Sequence, residues 1–303
     1  LLTYYFCCDI VPKVMITLRE SHEKFLKDLK DKGRANATII AYGKDIEQLI
    51  EHAEAQGKAA PQKLEKEDLK GFVKTLEEKD YTPKSVSRKI NAVRTYFKFL
   101  QDKGIVDDDP SASLSHPKIE IKPPRILSKM EYRALRDACR QKPRIFAIVE
   151  LLLQTGVRIG ELRRLKLSDI ELSEDGKTGK LRIAAQNKNP ERVVPLNQPS
   201  REALQKYLKE RPKGDEGTIF ITRTGRPFLI RNVRSTINRY FKKAGVEDVT
   251  VNDLRNTFIA THLSRGVPLT TVSRLVGHRR LTTTERYLKY VEQPEEKVQL
   301  SKL

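Results

Sequence analysis

The sequence predicts a mainly α-helical fold with one small antiparallel β-sheet, divided between two domains. Three observations carry this expectation. Apolar residues recur every three or four positions over most of the chain, as amphipathic helices require. Four prolines, at 110, 117, 123 and 124, interrupt that periodicity, and proline both lacks a backbone donor and biases its predecessor away from helix. Two short β-prone runs joined by a polar segment then read as a hairpin. With 303 residues, the chain is long enough for each of two domains to bury its own core.

The elements follow in order. Residues 1–15, LLTYYFCCDIVPKVM, read as an extension ahead of Met15; no basic leader or small-residue cleavage site marks a signal peptide. Translation is expected to start at Met15 or at a non-Met codon upstream. Residues 16–106 form a helical domain. In ATIIAYGKDIEQLIEHA the stripe is Ile39, Tyr42, Ile46, Leu49 and Ala53. In PKSVSRKINAVRTYFKFL, with Lys84 at zero and 100° per residue, Val86, Ile90, Val93, Phe97 and Leu100 fall between about 160° and 240°. Lys84, Arg88, Asn91, Thr95 and Lys98 fall within about 40° of zero, giving a basic, hydrogen-bonding face. Residues 107–126 form the linker, and residues 127–291 a second domain. There SKMEYRALRDACR and PRIFAIVELLLQTG are helical, GKLRIAA and ERVVPL are the hairpin strands, and QNKNP carries Lys188 at its tip. In PFLIRNVRSTINRYFKKAGV, Val233, Ile237, Tyr240 and Ala244 make the apolar stripe, with Arg231, Asn238 and Lys242 opposite. Residues 292–303 are a tail, either a docking helix or a frayed end.

Charge is the strongest compositional signal. The chain carries 59 Lys+Arg against 40 Asp+Glu, a net of +19. Residues 1–120 hold 21 basic and 20 acidic side chains, so the other 38 basic and 20 acidic groups leave +18 on the remainder. A positive field concentrated on one domain points to a polyanionic partner, nucleic acid foremost. Lys84, Arg88, Lys98, Arg231 and Lys242 are the candidate contacts on helix faces, joined by Arg279 and Arg280. The three cysteines and five histidines show no metal-ligand spacing, so no metal site is expected, and the cysteines suit a reducing cytoplasm. No apolar run reaches the length of a membrane span.

Three boxes carry the chemistry: TGVRIGEL with Arg158, DLRNTFIATHL with Arg255, and VGHRRLTTTERY with His278 and Tyr287. Two arginines supply planar forks for phosphate oxygens. An imidazole is accessible in both protonation states, and a phenol can act as a nucleophile once activated. In their order and spacing these boxes closely resemble the tyrosine recombinase (phage integrase) family, over nearly the whole chain after the first dozen or so residues. The length is that of the two-domain Xer type.

The resemblance implies a two-domain DNA clamp: a helical core DNA-binding domain followed by a catalytic domain. It implies attack of Tyr287 on a phosphodiester, a 3′-phosphotyrosyl intermediate, and strand exchange through a four-way junction without a cofactor. Arg158 and Arg255 would hold the phosphate, Glu161 would orient Arg158 from behind, and His278 would contact the phosphate or move a proton. Lys188 would be the general acid, although the family often has Gly-Lys-Gly where this chain reads Gln-Asn-Lys-Asn-Pro. Asn252 stands where the family usually has His or Lys, and it can hydrogen-bond but not act as an acid or base. Tyr290 is the nearest rival nucleophile, and His262 reads as a core histidine. Thr282 and Glu285 form a capping-box pattern that starts a helix just before Tyr287.

Implied partners are double-stranded DNA with paired half-sites and a tetramer on it, of this chain alone or with a second recombinase. Implied roles are chromosome-dimer resolution or mobile-element integration and excision, in the cytoplasm on the nucleoid. Two other classes stay open: a DNA-binding accessory protein with impaired catalysis, and a nicking-closing enzyme of the type IB topoisomerase kind.

Overall fold

The computed structural model describes residues 16–120, 122–173, 175–186, 189–214 and 217–291. The chain falls into two compact units, divided between residues 121 and 122. No helix among the described residues is long and apolar enough to cross a membrane. The extension 1–15, Lys188 and the tail 292–303 lie outside the described residues.

The first unit contains α1 (Leu18–Asp31), α2 (Asn36–Glu54), α3 (Lys66–Glu78) and α4 (Pro83–Asp102). Thr17 and Glu20 close a capping box at the start of α1, and Thr82 caps α4 ahead of Pro83. Every member of the expected apolar face of α4, from Val86 to Leu100, is buried. It packs with Phe25, Ile46, Leu49, Leu69 and Phe72 from the other three helices. Lys84 and Lys98 stay exposed, as a solvent-facing stripe requires. Arg88 is exposed on the same stripe and also pairs with Asp45 of α2. Asp45 is fully buried and also accepts from the buried Lys89 Nζ at 2.8 Å. A buried carboxylate is costly unless it is paired, and it recruits the nearest cations. Arg88 therefore answers this buried carboxylate while remaining on the exposed face expected for it.

The second unit begins with α5 (Lys129–Cys139), α6 (Pro143–Thr155) and α7 (Ile159–Arg164). Three antiparallel strands follow in the order β1 (Ile170–Leu172), β2 (Gly179–Ile183) and β3 (Arg192–Pro195), with Leu181 opposite Val194. The hairpin is β2–β3; β1, three residues long, is one strand more than the sequence patterning predicts. Next come α8 (Gln198–Glu210), α9 (Ile230–Lys243), α10 (Val251–Leu263), α11 (Leu269–Val276) and α12 (Thr282–Glu285). The nearly all-apolar α6 runs through the middle of this core, against α8 and α10. On α9, Val233 and Ile237 are buried while Arg231, Asn238 and Lys242 are exposed.

The expected capping box at Thr282 does not form. Leu281 is the N-cap in helical conformation, and no side chain caps α12. The hydroxyl that matters is that of Thr284, fully buried and bonded to His278 instead.

Candidate active site

Two helices of the second unit stop at left-handed glycines, and those two stops build the site. α6 ends at Gly156 (φ +63), where an added Cβ would lie 2.5 Å from the Phe258 ring. α11 ends at Gly277 (φ +68), where an added Cβ would lie 2.7 Å from Arg192 Nη1. Glycine alone meets both demands, a positive φ and a close neighbour. The backbone carbonyls around these turns are left facing inward, and arginines collect them.

Arg255, on α10, donates through Nη1 to the Gly156 carbonyl and through Nη2 to the Val276 carbonyl at 2.7 Å. Arg158, the N-cap of α7, donates to the same Val276 carbonyl at 3.3 Å and to the Gly277 carbonyl at 2.9 Å. The two guanidiniums thus share an acceptor although 97 residues separate them. Burial, and then the charge of Arg158, push the Arg255 guanidinium down to about 9, so it stays protonated at neutral pH.

Glu161 ties the arrangement together. Its Oε2 accepts the Arg158 backbone N–H at 2.8 Å, capping α7, and its Oε1 accepts Arg158 Nη1 at 2.9 Å. Arg192 adds a fork, Nη1 to Oε1 at 3.1 Å and Nη2 to Oε2 at 2.7 Å. Burial pushes this carboxyl up, but the Arg192 hydrogen bond and the two arginine charges outweigh it and hold it below the ordinary carboxylate range.

His278 follows the Gly277 turn. Its Nδ1 lies 2.7 Å from Thr284 Oγ1. Burial, then the charges of Arg255 and Arg158, push the imidazole down to about 3, so it is neutral at physiological pH. Tyr287 is half-buried against Phe258, Ile259 and Val276, and its hydroxyl donates to Asn256 Oδ1 at 2.7 Å. Asn256 in turn donates from Nδ2 to Asp253 Oδ1 at 2.7 Å, which fixes the amide so that its oxygen faces the phenol. Burial raises the Tyr287 phenol above its usual range, against the lowering charges of Arg255 and Arg286.

A cleft of about 670 Å³ opens beside this cluster. Arg158, Glu161, Asn252 and Arg255 line it, together with Gln186 and Asn189 from the hairpin turn and Arg234 and Asn238 from α9. Asn252 is exposed there, with Nδ2 only 3.4 Å from Asn256 Oδ1. Gln186 and Asn189 pair through a backbone bridge. Tyr290 is exposed, as are Arg279 and Arg280. His262 bonds the Phe258 carbonyl at 2.9 Å and lies on the Phe258 ring, a satisfied helix-packing histidine.

Arg192, Asn256 and Thr284 were not among the residues singled out from the sequence. Arg192 left one trace: in the alternation of ERVVPL it occupies the same face as Val194 and Leu196, an inward position where a charge is unexpected. Thr284 and Asn256 left none, because their importance comes from partners that the fold brings to them.

Comparison with known proteins places this architecture. The Phage integrase family matches residues 125–293, and the Phage integrase, N-terminal SAM-like domain matches residues 23–104. Tyrosine recombinase XerC of Thermodesulfovibrio yellowstonii is 32% identical over 277 residues, 87% of this chain and 89% of that protein. Tyrosine recombinase XerD of Halalkalibacterium halodurans is 29% identical over 285 residues, 90% and 94% of the two chains. Among solved structures, XerA recombinase aligns at 26% identity with a TM-score of 0.51, over 89% of this chain and 93% of that one. A lambda integrase dimer bound to a COC′ core site shares the fold, with a TM-score of 0.74 at 18% identity over 96% and 81%. Matched along both units and over more than half of its length by the catalytic profile, the chain belongs to the phage integrase family of tyrosine recombinases.

Proposed function

We propose that this chain is a site-specific DNA recombinase that cleaves and rejoins duplex DNA through a phosphotyrosyl bond at Tyr287. The observation that carries the reading is the convergence of Arg158 and Arg255 on one turn, the turn that also bears the neutral His278. A buried and a half-buried guanidinium beside an open cleft suit the non-bridging oxygens of a diester, and such preorganised donors stabilise the charge that builds in the transition state. Asn252 adds a hydrogen-bond donor at the cleft wall. Glu161 holds Arg158 from behind.

In the forward step the Tyr287 oxygen bonds to phosphorus and the bond to the 5′-oxygen breaks. The phenolic proton must leave, and the amide oxygen of Asn256 cannot take it. Neutral His278, held down by burial and by the Arg255 and Arg158 charges, can do so once a bound phosphate offsets those charges. The hydroxyl therefore has to exchange Asn256 for the DNA-bound site before attack. Lys188, expected from the sequence at the hairpin tip, is assigned the proton for the departing 5′-oxygen. Reversal by a 5′-hydroxyl from a partner duplex rejoins the strand with no net loss of bond energy.

Residues 16–106 are assigned to core DNA binding, 107–126 to a linker and 127–291 to catalysis. Lys84, Arg88, Lys98, Arg231, Lys242, Arg279 and Arg280 are assigned to the DNA backbone or groove, where losing one phosphate contact lowers the salt slope by about one. Related structures include a lambda integrase tetramer bound to a Holliday junction, and we assign the same tetrameric arrangement, on DNA with paired half-sites, to this chain. A second recombinase in the tetramer, action on the nucleoid, and a role in chromosome-dimer resolution or element mobility belong to the same proposal.

The test is a nicked suicide duplex carrying an inverted-repeat site recovered by the protein from a randomised library. A covalent adduct that Tyr287→Phe abolishes is expected. Binding without any adduct would instead identify an accessory DNA-binding protein. Relaxation of supercoils without strand exchange would identify a nicking-closing enzyme.

A further inference from the structure

Arg192 is almost fully buried at the start of β3, with 6% of its side chain exposed, and it touches α7 and both the last turn and the cap of α11 at once. Its fork grips both oxygens of Glu161 on α7. Its Nε donates at 2.8 Å to the Leu275 carbonyl at the end of α11. Its guanidinium lies flat against Gly277, leaving no space for a side chain there. It also lies three residues after Asn189, which bridges to Gln186.

A buried arginine is a poor way to stabilise a core, since well-packed apolar residues often do as well or better. What it supplies is direction. Glu161 is shared between Arg192 and Arg158, so its charge is divided between two cations. Without Arg192, the whole carboxylate would face Arg158 and draw that guanidinium away from an incoming phosphate. The Leu275–Gly277 turn, whose carbonyls set Arg158 and Arg255, would at the same time lose its outer support.

Resting on the function proposed above, we infer that Arg192 is a positioning residue for phosphate binding. It acts through Glu161 on Arg158, and through the Leu275–Gly277 turn on Arg255 and His278. It does not itself meet the DNA.

Single-turnover cleavage of the nicked suicide duplex tests this, with an ordinary diester or a methylphosphonate at the scissile position. The methylphosphonate lacks the charged oxygen and so depends less on a well-placed guanidinium. Arg192→Gln is expected to slow cleavage of the diester about a hundredfold, the scale of a misplacement of about 1 Å. On the methylphosphonate its deficit should shrink to within about threefold, on the same reasoning, and duplex affinity should be unchanged. Arg158→Ala serves as the reference for the same pattern. The double variant Arg192→Gln/Glu161→Gln should recover part of the loss, because the undivided carboxylate is gone. Should Arg192→Gln fail to fold, Arg192→Lys carries the same comparison, since an ammonium can pair with Glu161 but cannot fork and also reach Leu275. An equal deficit on both substrates, or none on the diester, overturns the inference. Absence of any Tyr287-dependent adduct in the wild type would instead remove the proposed function beneath it.

Discussion

Replacing Gly277 by alanine separates backbone strain from the arginine contact, because the chain contains its own control. Gly245 has nearly the same left-handed backbone, φ +65 against +68, yet nothing lies within 4 Å of an added Cβ. Both substitutions incur the left-handed penalty of about 1–2 kcal/mol. Only Gly277→Ala also drives a methyl to 2.7 Å from Arg192 Nη1 and 2.9 Å from its Cζ. The guanidinium cannot yield freely, for Glu161 holds two of its nitrogens and Leu275 the third. Breaking a buried pair costs about 3–5 kcal/mol, so Gly277→Ala should exceed Gly245→Ala by about 3 kcal/mol. At about 2–4 °C per kcal/mol for a unit of this size, the excess is roughly 6–12 °C in Tm. Calorimetry of the full chain reads it directly. In an Arg192→Gln background the excess should vanish, since the two sites are coupled. Equal Tm losses for the two alanine variants would refute the claim that the arginine is fixed.

Other measurements probe the remaining contacts. His278 has a folded value of about 3 against an ordinary 6.5, so the unfolded chain binds the extra proton between those values. Its contribution to stability is therefore complete above pH 6.5 and lost as pH falls toward 3; His278→Asn should flatten that part of the urea-unfolding profile. The hydrogen bond from Tyr287 to Asn256 should contribute about 1 kcal/mol. In a double-mutant cycle, Tyr287→Phe should cost less in an Asn256→Ala background than in the wild type, and purely additive losses would show that the contact contributes nothing. In the first unit, Asp45→Asn leaves Lys89 buried without its anion and should cost about 3–5 kcal/mol, while Asp45→Asn/Lys89→Met should recover most of it. Chemical denaturation of the three chains decides, with no recovery counting against the burial argument.

What could be read in the sequence was whatever repeats locally. The apolar faces of α4 and α9 and the β2–β3 hairpin follow from spacing alone, because helix and strand periods impose them residue by residue. The two arginines, His278 and Tyr287 were legible as ordered boxes. Contacts across the chain were not. Arg88 reads as a surface residue and is one, but nothing local announces its pairing with Asp45, 43 positions upstream. TTTE obeys the rule for a capping box, but the rule considers only neighbours, while the fold draws Thr284 under His278. Arg192 pairs with a carboxylate 31 positions earlier and a carbonyl 83 positions later. Neither distance has a sequence signature.

The sharing of Glu161 has a consequence for the charge balance of the reaction. Arg158, Arg192 and Arg255 bring three positive charges to this network and Glu161 one negative, while neutral His278 adds none. The resident sum is plus two. A diester beside a neutral phenol carries minus one, whereas the pentavalent species formed once the phenolic proton has departed carries minus two. With the phenolic proton held by His278 the network rises to plus three as the phosphorus centre reaches minus two, so it stays one charge in excess in both states while the attraction between them grows. Were Glu161 a glutamine, plus three would already face the uncut diester, and part of the attraction reserved for the pentavalent species would go into holding uncut DNA. A single buried carboxylate thus sets the point at which attraction is most useful to the chemistry, and keeps the enzyme from being only a strong binder of phosphate.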